Sequence, residues 1–128
     1  MRVYALFLSI LAAPLAAQSP LTPSEFEARV LGETFDFGYV GSAPYGMERY
    51  LPDNKVIWSW GDGQCEAGKW YAEGPAICFI YDFDPDPHCW LYFAEGANTL
   101  AILKDDDSGG IYQLSPISRE LVCDNFGM

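Results

Sequence analysis

Two apolar runs, each close to a cysteine, flank an acidic, proline-containing stretch between residues 77 and 93. Cys78 lies in the first run, and Cys89 begins the second. The two cysteines face each other when the turn is centred between Phe83 and Asp84, and that separation suits a bridge between neighbouring strands. The stretch therefore predicts a β-hairpin closed by a disulfide between Cys78 and Cys89.

The N-terminus has the pattern of an export signal. Arg2 precedes an apolar run, and small residues follow up to Ala17. The run is shorter than the roughly 20 residues that span a bilayer. We expect a signal peptide over residues 1–17, cleaved after Ala17, and one periplasmic or secreted β-domain over residues 18–128 without a membrane anchor. The alternative is an uncleaved N-terminal helix.

The chain has four cysteines, and an even number in an exported protein indicates two disulfides, for which three connectivities exist. With Cys78 paired to Cys89, the second bond is expected between Cys65 and Cys123. That bond would tether a C-terminal tail. Zinc binding is the alternative, but no CxxC pair is present to support it.

The composition is acidic, with 18 acidic against 7 basic side chains and a formal net charge of −11. Nucleic acids and anionic membranes bind basic surfaces, so the charge argues against both as partners. A cationic protein or metal ions fit the charge better. The alternative is that the surplus carboxylates only keep an exported domain soluble.

One helix is predicted near the start of the domain, over about residues 23–31. Thr22 can cap it, Pro23 suits its first position, and Glu25 can return a hydrogen bond to the cap. Gly32 is a natural end.

The rest of the chain has short aromatic and β-branched runs separated by glycine, proline and aspartate, which is typical of consecutive antiparallel strands. They are predicted at residues 34–39, 48–51, 55–60, 69–73, 76–82, 89–94, 99–104 and 110–114. Ser115-Pro116 interrupts the pattern and should end the last strand. The expected fold is all-β, an up-and-down meander curled into a small barrel or half-barrel, with the Cys78–Cys89 hairpin in the middle of the sheet.

A candidate cation site lies in the predicted turn of the hairpin. Asp82, Asp84, Asp86 and His88 alternate there, and alternate residues of an extended segment share a face. Carboxylate oxygens favour calcium, whereas the imidazole favours a transition ion. The alternative is a solvated turn, in which aspartate and proline are common.

A second acidic stretch starts like a calcium-binding loop. Asp105 and Asp107 occupy its first and third positions, and Gly110 its sixth. Position 12 is Pro116 where such loops need a glutamate, so a turn between strands is the simpler interpretation.

Nothing in the sequence groups a nucleophile, a base and an orienting residue, so an enzyme is not expected. His88 is the only histidine, and the G-x-S-x-G, H-E-x-x-H and P-loop patterns do not occur. A carboxylate-dependent hydrolase stays open as an alternative, because 18 acidic residues offer many pairs.

The predicted strands are rich in aromatic residues, which could line a cup for an apolar ligand or fill the core. The candidates for lining are Trp58, Trp60, Trp70, Trp90 and Tyr92.

Several short motifs resemble those of small secreted proteobacterial proteins of uncharacterised function that have a lipocalin-like β-meander. They are Gly68-Lys69-Trp70, Cys78-Phe79-Ile80-Tyr81, Cys89-Trp90 and the turn Tyr50-Leu51-Pro52-Asp53-Asn54, in which Asn54 replaces the usual glycine. The resemblance covers residues 32–114 and implies a periplasmic barrel without known catalytic residues. Charge and disulfides also resemble periplasmic inhibitors of basic cell-wall hydrolases, but their serine-glycine loop is missing.

Three functional hypotheses follow. The first is a non-enzymatic binding or structural domain whose partner is a cationic protein or a small apolar ligand. The second is a cation-binding module that uses residues 82–88. The third is the carboxylate-dependent hydrolase.

Overall fold

The computed structural model describes residues 2–5, 18–105 and 109–126. Its elements are helix α1 (Pro23–Val30), strands β1 (Thr34–Tyr39), β2 (Gly46–Leu51), β3 (Lys55–Ser59), β4 (Cys65–Glu73), β5 (Ala76–Tyr81), β6 (Asp84–Glu95), β7 (Asn98–Leu103) and β8 (Ile111–Ile117), and a 3₁₀ turn at Asp124–Phe126. Most of the predicted signal peptide, residues 6–17, lies outside the described residues. So do residues 106–108 of the second acidic stretch.

The eight strands form a closed antiparallel barrel in which each strand pairs with the next along the chain. β8 returns to pair with β1, from Thr34 opposite Ile117 to Tyr39 opposite Tyr112. The predicted all-β meander is therefore confirmed, and the barrel is closed instead of half-open. A closed barrel has no middle or edge strand, so the β5–β6 hairpin is not the centre of a sheet.

Helix α1 begins with the predicted capping box. The Thr22 hydroxyl accepts the Glu25 backbone N–H at 3.2 Å, and the Glu25 carboxylate accepts the Thr22 backbone N–H at 3.0 Å. Gly32 has a φ of 78°, in the left-handed region that favours glycine, so the chain turns into β1 directly after the helix.

The helix closes one end of the barrel. Phe26 is fully buried, and its ring centroid lies 4.5 Å from that of Tyr92 and 5.5 Å from that of Trp70. The Arg29 guanidinium donates to the carbonyl oxygens of Gly96 and Asn98, both at 2.9 Å. One aromatic side chain thus plugs the barrel, and one arginine fastens the helix to the β6–β7 turn.

The hairpin turn is shorter than the predicted turn over residues 82–88. Tyr81 already pairs with Asp84, so a two-residue turn joins the strands and β6 starts at Asp84. β7 pairs with β6 from Trp90 onward, which places Pro85 and Pro87 in the part of β6 that extends beyond β7. Proline lacks an N–H group and is tolerated in a strand where no ladder hydrogen bond is needed.

The last strand also continues past its predicted end. β8 runs to Ile117, and Pro116 lies opposite Phe35 of β1. The pairing of β8 with β7 covers Ile111 to Leu114, so Pro116 lies where β8 pairs with β1 alone. As in β6, proline occupies a position that resembles an edge strand.

Both predicted disulfides are confirmed, Cys65–Cys123 and Cys78–Cys89. Cys65, Cys123 and the buried Leu121 form a small cluster on which Met47 and Ile57 pack, so the C-terminal tail covers the outside of β2 and β3. Two disulfides indicate an oxidising environment outside the cytoplasm.

Within the described ranges, no helix is both long enough and apolar enough to cross a membrane.

Candidate functional site: an aromatic cup with a buried glutamate

The barrel contains a cavity of about 190 Å³ that opens at the end opposite the helix, and we call it the cup. The rings of Tyr50, Phe79 and Tyr92 form its floor and separate it from Phe26. Trp60 and Phe83 are 50% and 62% exposed at its mouth. The residues that line the cup are Phe37, Tyr45, Glu48, Tyr50, Trp58, Trp60, Glu66, Phe79, Tyr81, Phe83, His88, Trp90 and Tyr92.

Strand alternation directs Glu48 into this cup. In β2, Gly46, Glu48 and Tyr50 are buried, whereas the residues between them are half-buried on the outer face. Gly46 is required here because a Cβ atom at this position would lie 2.1 Å from Cζ2 of Trp58. The indole of Trp58 therefore crosses the glycine and reaches the cup beside Glu48.

Glu48 is a buried carboxyl, only 5% exposed. Its Oε2 accepts the hydroxyl of Tyr81, and the Tyr50 hydroxyl donates to the same carboxyl group. Burial raises the pKa of Glu48 from 4.5 to about 7, because the charged form loses its hydration, and the two tyrosine hydrogen bonds only partly oppose this. The carboxyl is therefore close to half-ionised at neutral pH.

The tyrosines around Glu48 stay protonated. Burial, followed by the charge of Glu48, raises the pKa of Tyr50, Tyr81 and Tyr92 well above the usual value. These hydroxyls are consequently hydrogen-bond donors at every physiological pH. Glu48 is the group of this cluster that changes charge near neutral pH.

The cup also contains an unused hydrogen-bond donor. The Nε1–H of Trp58 has no partner among the described residues, although the side chain is only 8% exposed. Leaving a buried donor unpaired costs about 1–3 kcal/mol. An acceptor atom of a bound molecule would remove that penalty.

The structure brings together two of the four predicted cation ligands. His88 Nε2 lies 3.0 Å from Asp84 Oδ2 near the mouth of the cup, and Asp84 Oδ1 accepts the Asp86 backbone N–H. The hydrogen bond from His88, and then that from Asp86, lowers the pKa of Asp84. The side chains of Asp82 and Asp86 are exposed.

Among the described residues, three ligand-type atoms come within 4.8 Å of one another at Glu73, Cys78 and Cys89. The two sulfur atoms of this group form a disulfide and are not thiolates that could hold a metal.

Four of the five aromatic residues proposed to line a cup do so, namely Trp58, Trp60, Trp90 and Tyr92. Trp70 instead lies at the plugged end, against Phe26. It is on the same face of β4 as Glu66 but four residues further along, which is about 13 Å towards the helix. Alternation predicts the face of a side chain, but not its height inside a barrel.

Sequence reasoning missed Glu48 as a candidate functional residue. The signal was present, because Glu48 precedes Tyr50 by two positions and must share its face of the strand. A charged side chain on an otherwise apolar face is unusual enough to single it out.

Comparison of the chain with protein-family models, with curated protein sequences and with solved structures found no match. Function therefore has to be inferred from the residues of the cup, because a small barrel hosts many unrelated activities.

The raised pKa of Glu48 makes stability depend on pH. Between about pH 4.5 and 7 the unfolded chain releases a proton that the native state retains, so stability falls as the pH rises through this range. The stability lost across this range is on the order of 3 kcal/mol, and it is essentially complete once the pH exceeds 7. Glu48→Gln should remove this dependence, and urea denaturation at several pH values measures it.

The matched control is Glu95→Gln, which changes the charge equally at the exposed last residue of β6. It should keep the pH profile of the unmodified protein. Identical profiles for the Glu48→Gln variant and the unmodified protein would contradict the assignment.

Proposed function

We propose that the protein is a non-enzymatic binding domain that holds a small molecule in the cup. The ligand has an apolar body and a polar group that reaches Glu48. The observation that carries this proposal is a buried carboxyl at the base of an open aromatic cavity. Burying a carboxyl is costly, and pockets of this kind combine apolar walls with a few polar groups that orient a ligand.

The size of the cup limits the ligand. A cavity of about 150 Å³ holds a benzene molecule, whereas pockets for drug-sized ligands start at roughly 300 Å³. At about 190 Å³ the cup suits a molecule with one ring and a short chain. Part of a longer ligand could also project past Trp60 and Phe83 at the mouth.

We place this domain in the periplasm or outside the cell. The apolar N-terminal run with small residues before Gln18 supports export by a cleaved signal peptide. The two disulfides support the same compartment, because they persist where thiols are oxidised. The resemblance of several short motifs to secreted proteins with a lipocalin-like meander also supports this location.

A carboxylate-dependent hydrolase is a second candidate, because Glu48 and Glu66 both line the cup. A carboxyl with a pKa of about 7 has the property that a general acid needs. The cavity is too small, however, to hold a scissile glycosidic bond with one sugar ring on each side of it. Hydrolysis of a nitrophenyl glycoside that disappears in Glu48→Gln would favour this second candidate.

The four tryptophans provide the test of ligand binding. We expect 2-phenylethanol, a neutral one-ring probe, to shift the indole N–H signals of Trp58, Trp60 and Trp90 in ¹H–¹⁵N spectra. The signal of Trp70 should stay in place, because this side chain lies beyond the floor of the cup. Single Trp→Phe variants assign the four signals.

Absence of any shift at millimolar probe would contradict binding in the cup. Shifts of equal size at Trp70 would contradict it as well, because they would indicate unspecific association or a change of the whole barrel.

A further inference from the structure

We propose that the ligand of the cup is a small organic cation, bound through its ammonium group by Glu48 and the aromatic walls. This inference rests on the proposed function, since it names the chemical class of the molecule that the cup holds. It is carried by the charges that line the cup, by the hydrogen bonds that Glu48 already makes and by the arrangement of the rings.

The charged groups around the cup favour a positive ligand. Glu48 and Glu66 line it, and its described lining includes no lysine or arginine. His88 is the lining side chain that can become positive, and it is paired with Asp84 at 3.0 Å. A cation therefore enters a site whose uncompensated charge is negative, in a chain with a formal net charge of −11.

The hydrogen bonds of Glu48 also point to a donor on the ligand. Tyr50 and Tyr81 donate their hydroxyl protons to this carboxyl, and an ionised carboxylate only accepts. Two donors leave this carboxylate with lone pairs that a donor on a ligand can use. An ammonium group supplies both the donor and the compensating charge, whereas a neutral hydroxyl would leave a buried negative charge without a counter-ion.

The aromatic walls present ring faces in several directions. The ring of Trp60 is nearly perpendicular to that of Trp58, with an interplanar angle of 84° and centroids 5.2 Å apart. Tyr45 stacks on Trp60 at 6.4 Å, and Phe37 meets Trp58 edge to face at 5.6 Å. Faces of Trp and Tyr attract cations, and several such rings around one space form the aromatic cages that bind ammonium groups.

The affinity for a cation should depend on pH, because Glu48 must be ionised to pair with it. The other titratable side chains that line the cup with Glu48 are Tyr45, Tyr50, Glu66, Tyr81, His88 and Tyr92. The tyrosines remain neutral, as the raised pKa values of Tyr45, Tyr50, Tyr81 and Tyr92 require. His88 is paired with Asp84, and a Glu48 variant separates the contribution of Glu48 from that of the other lining groups.

The test compares two ligands of equal size by titration calorimetry, the cationic 2-phenylethylamine and the neutral 2-phenylethanol. At pH 8 the amine should bind at least tenfold more tightly than the alcohol. Its affinity should fall by about a hundredfold between pH 8 and pH 5, as Glu48 with a pKa of about 7 becomes protonated. The alcohol should show no comparable dependence.

Glu48→Gln should remove both the preference for the amine and most of its pH dependence. Glu95→Gln, which alters the net charge equally far from the cup, should leave both unchanged. Trp60→Ala provides a second variant. We expect it to fold, because the Trp60 side chain is half-exposed and contributes little to the core. It should weaken the amine about threefold more than the alcohol, because only the amine loses a cation–π contact.

Equal affinities of the amine and the alcohol, together with shifts of the three cup tryptophans, would overturn the cationic ligand and leave small-molecule binding standing. Retention of the amine preference in Glu48→Gln would overturn the role of this carboxyl. If neither compound shifts the indole signals of the cup, the proposed function fails together with the inference.

Discussion

Phe26→Ala is expected to lower the free energy of unfolding by about 4 kcal/mol, the range observed when a buried phenylalanine is truncated. Phe26 is fully buried and meets the rings of Tyr50, Trp70 and Tyr92 inside the barrel. Its removal leaves a cavity that the strands cannot close, because their spacing is set by the hydrogen bonds around the barrel. Urea denaturation followed by tryptophan fluorescence measures the loss.

The control for this substitution is Glu27→Ala on the exposed face of the same helix. It should change stability by less than about 0.5 kcal/mol, since surface substitutions without special contacts have small effects. A loss of similar size in the two variants would contradict a specific contribution of the buried Phe26 ring, since alanine favours the helix at both positions. A loss below about 1 kcal/mol for Phe26→Ala would show that the helix is not a structural part of the barrel.

Removal of the Cys65–Cys123 disulfide by substitution of both cysteines with alanine should also cost about 4 kcal/mol. The bond joins residues 58 positions apart, and the unfolded chain gains more freedom when a longer loop is opened. The Cys78–Cys89 bond spans 11 positions and should contribute about 3 kcal/mol. Denaturation of the two double variants under the same conditions compares them.

The longer disulfide has a second role that the shorter one lacks. It holds the C-terminal tail on Met47 and Ile57, so its loss also exposes apolar surface on the outside of β2 and β3. We therefore expect removal of Cys65–Cys123 to lower the free energy of unfolding more than removal of Cys78–Cys89 does. A larger cost for the Cys78–Cys89 pair would be incompatible with this account.

Glu48 illustrates how the proposed binding site reduces stability. Above neutral pH its buried charge destabilises the native state, and a neutral glutamine would avoid that cost. The unpaired indole N–H of Trp58 adds a second unfavourable group to the same cavity. These two unfavourable groups on one wall support the proposed ligand site, because an ammonium group would compensate the charge of Glu48 and an acceptor atom would pair with the Trp58 N–H.

Much of the fold could be predicted because its signals are local. The capping box at Thr22 and Glu25 determines where the helix starts, and the alternation of apolar residues predicts the strands. The even number of cysteines and the spacing of Cys78 and Cys89 predict the disulfides. Each of these signals acts over a few residues or over a single hairpin.

Strand ends were predicted less well, and prolines explain two of the errors. Pro85, Pro87 and Pro116 indicate breaks in a sequence, yet all three lie inside strands. They are tolerated because β6 and β8 extend beyond one of their neighbours, which leaves one side of each strand without a ladder to complete. How far a neighbouring strand extends is a property of the assembled barrel.

The sequence by itself determined the antiparallel meander, the helix, the two disulfides and the acidic charge, because these depend on neighbouring residues and on composition. Only the tertiary structure decided that the barrel closes, through pairing of Thr34 with Ile117 at opposite ends of the domain. Closure sets the stagger of the strands and hence the height of each inward side chain. That height places Glu48 among the rings of the cup and Trp70 against the plug, although alternation directs both inward.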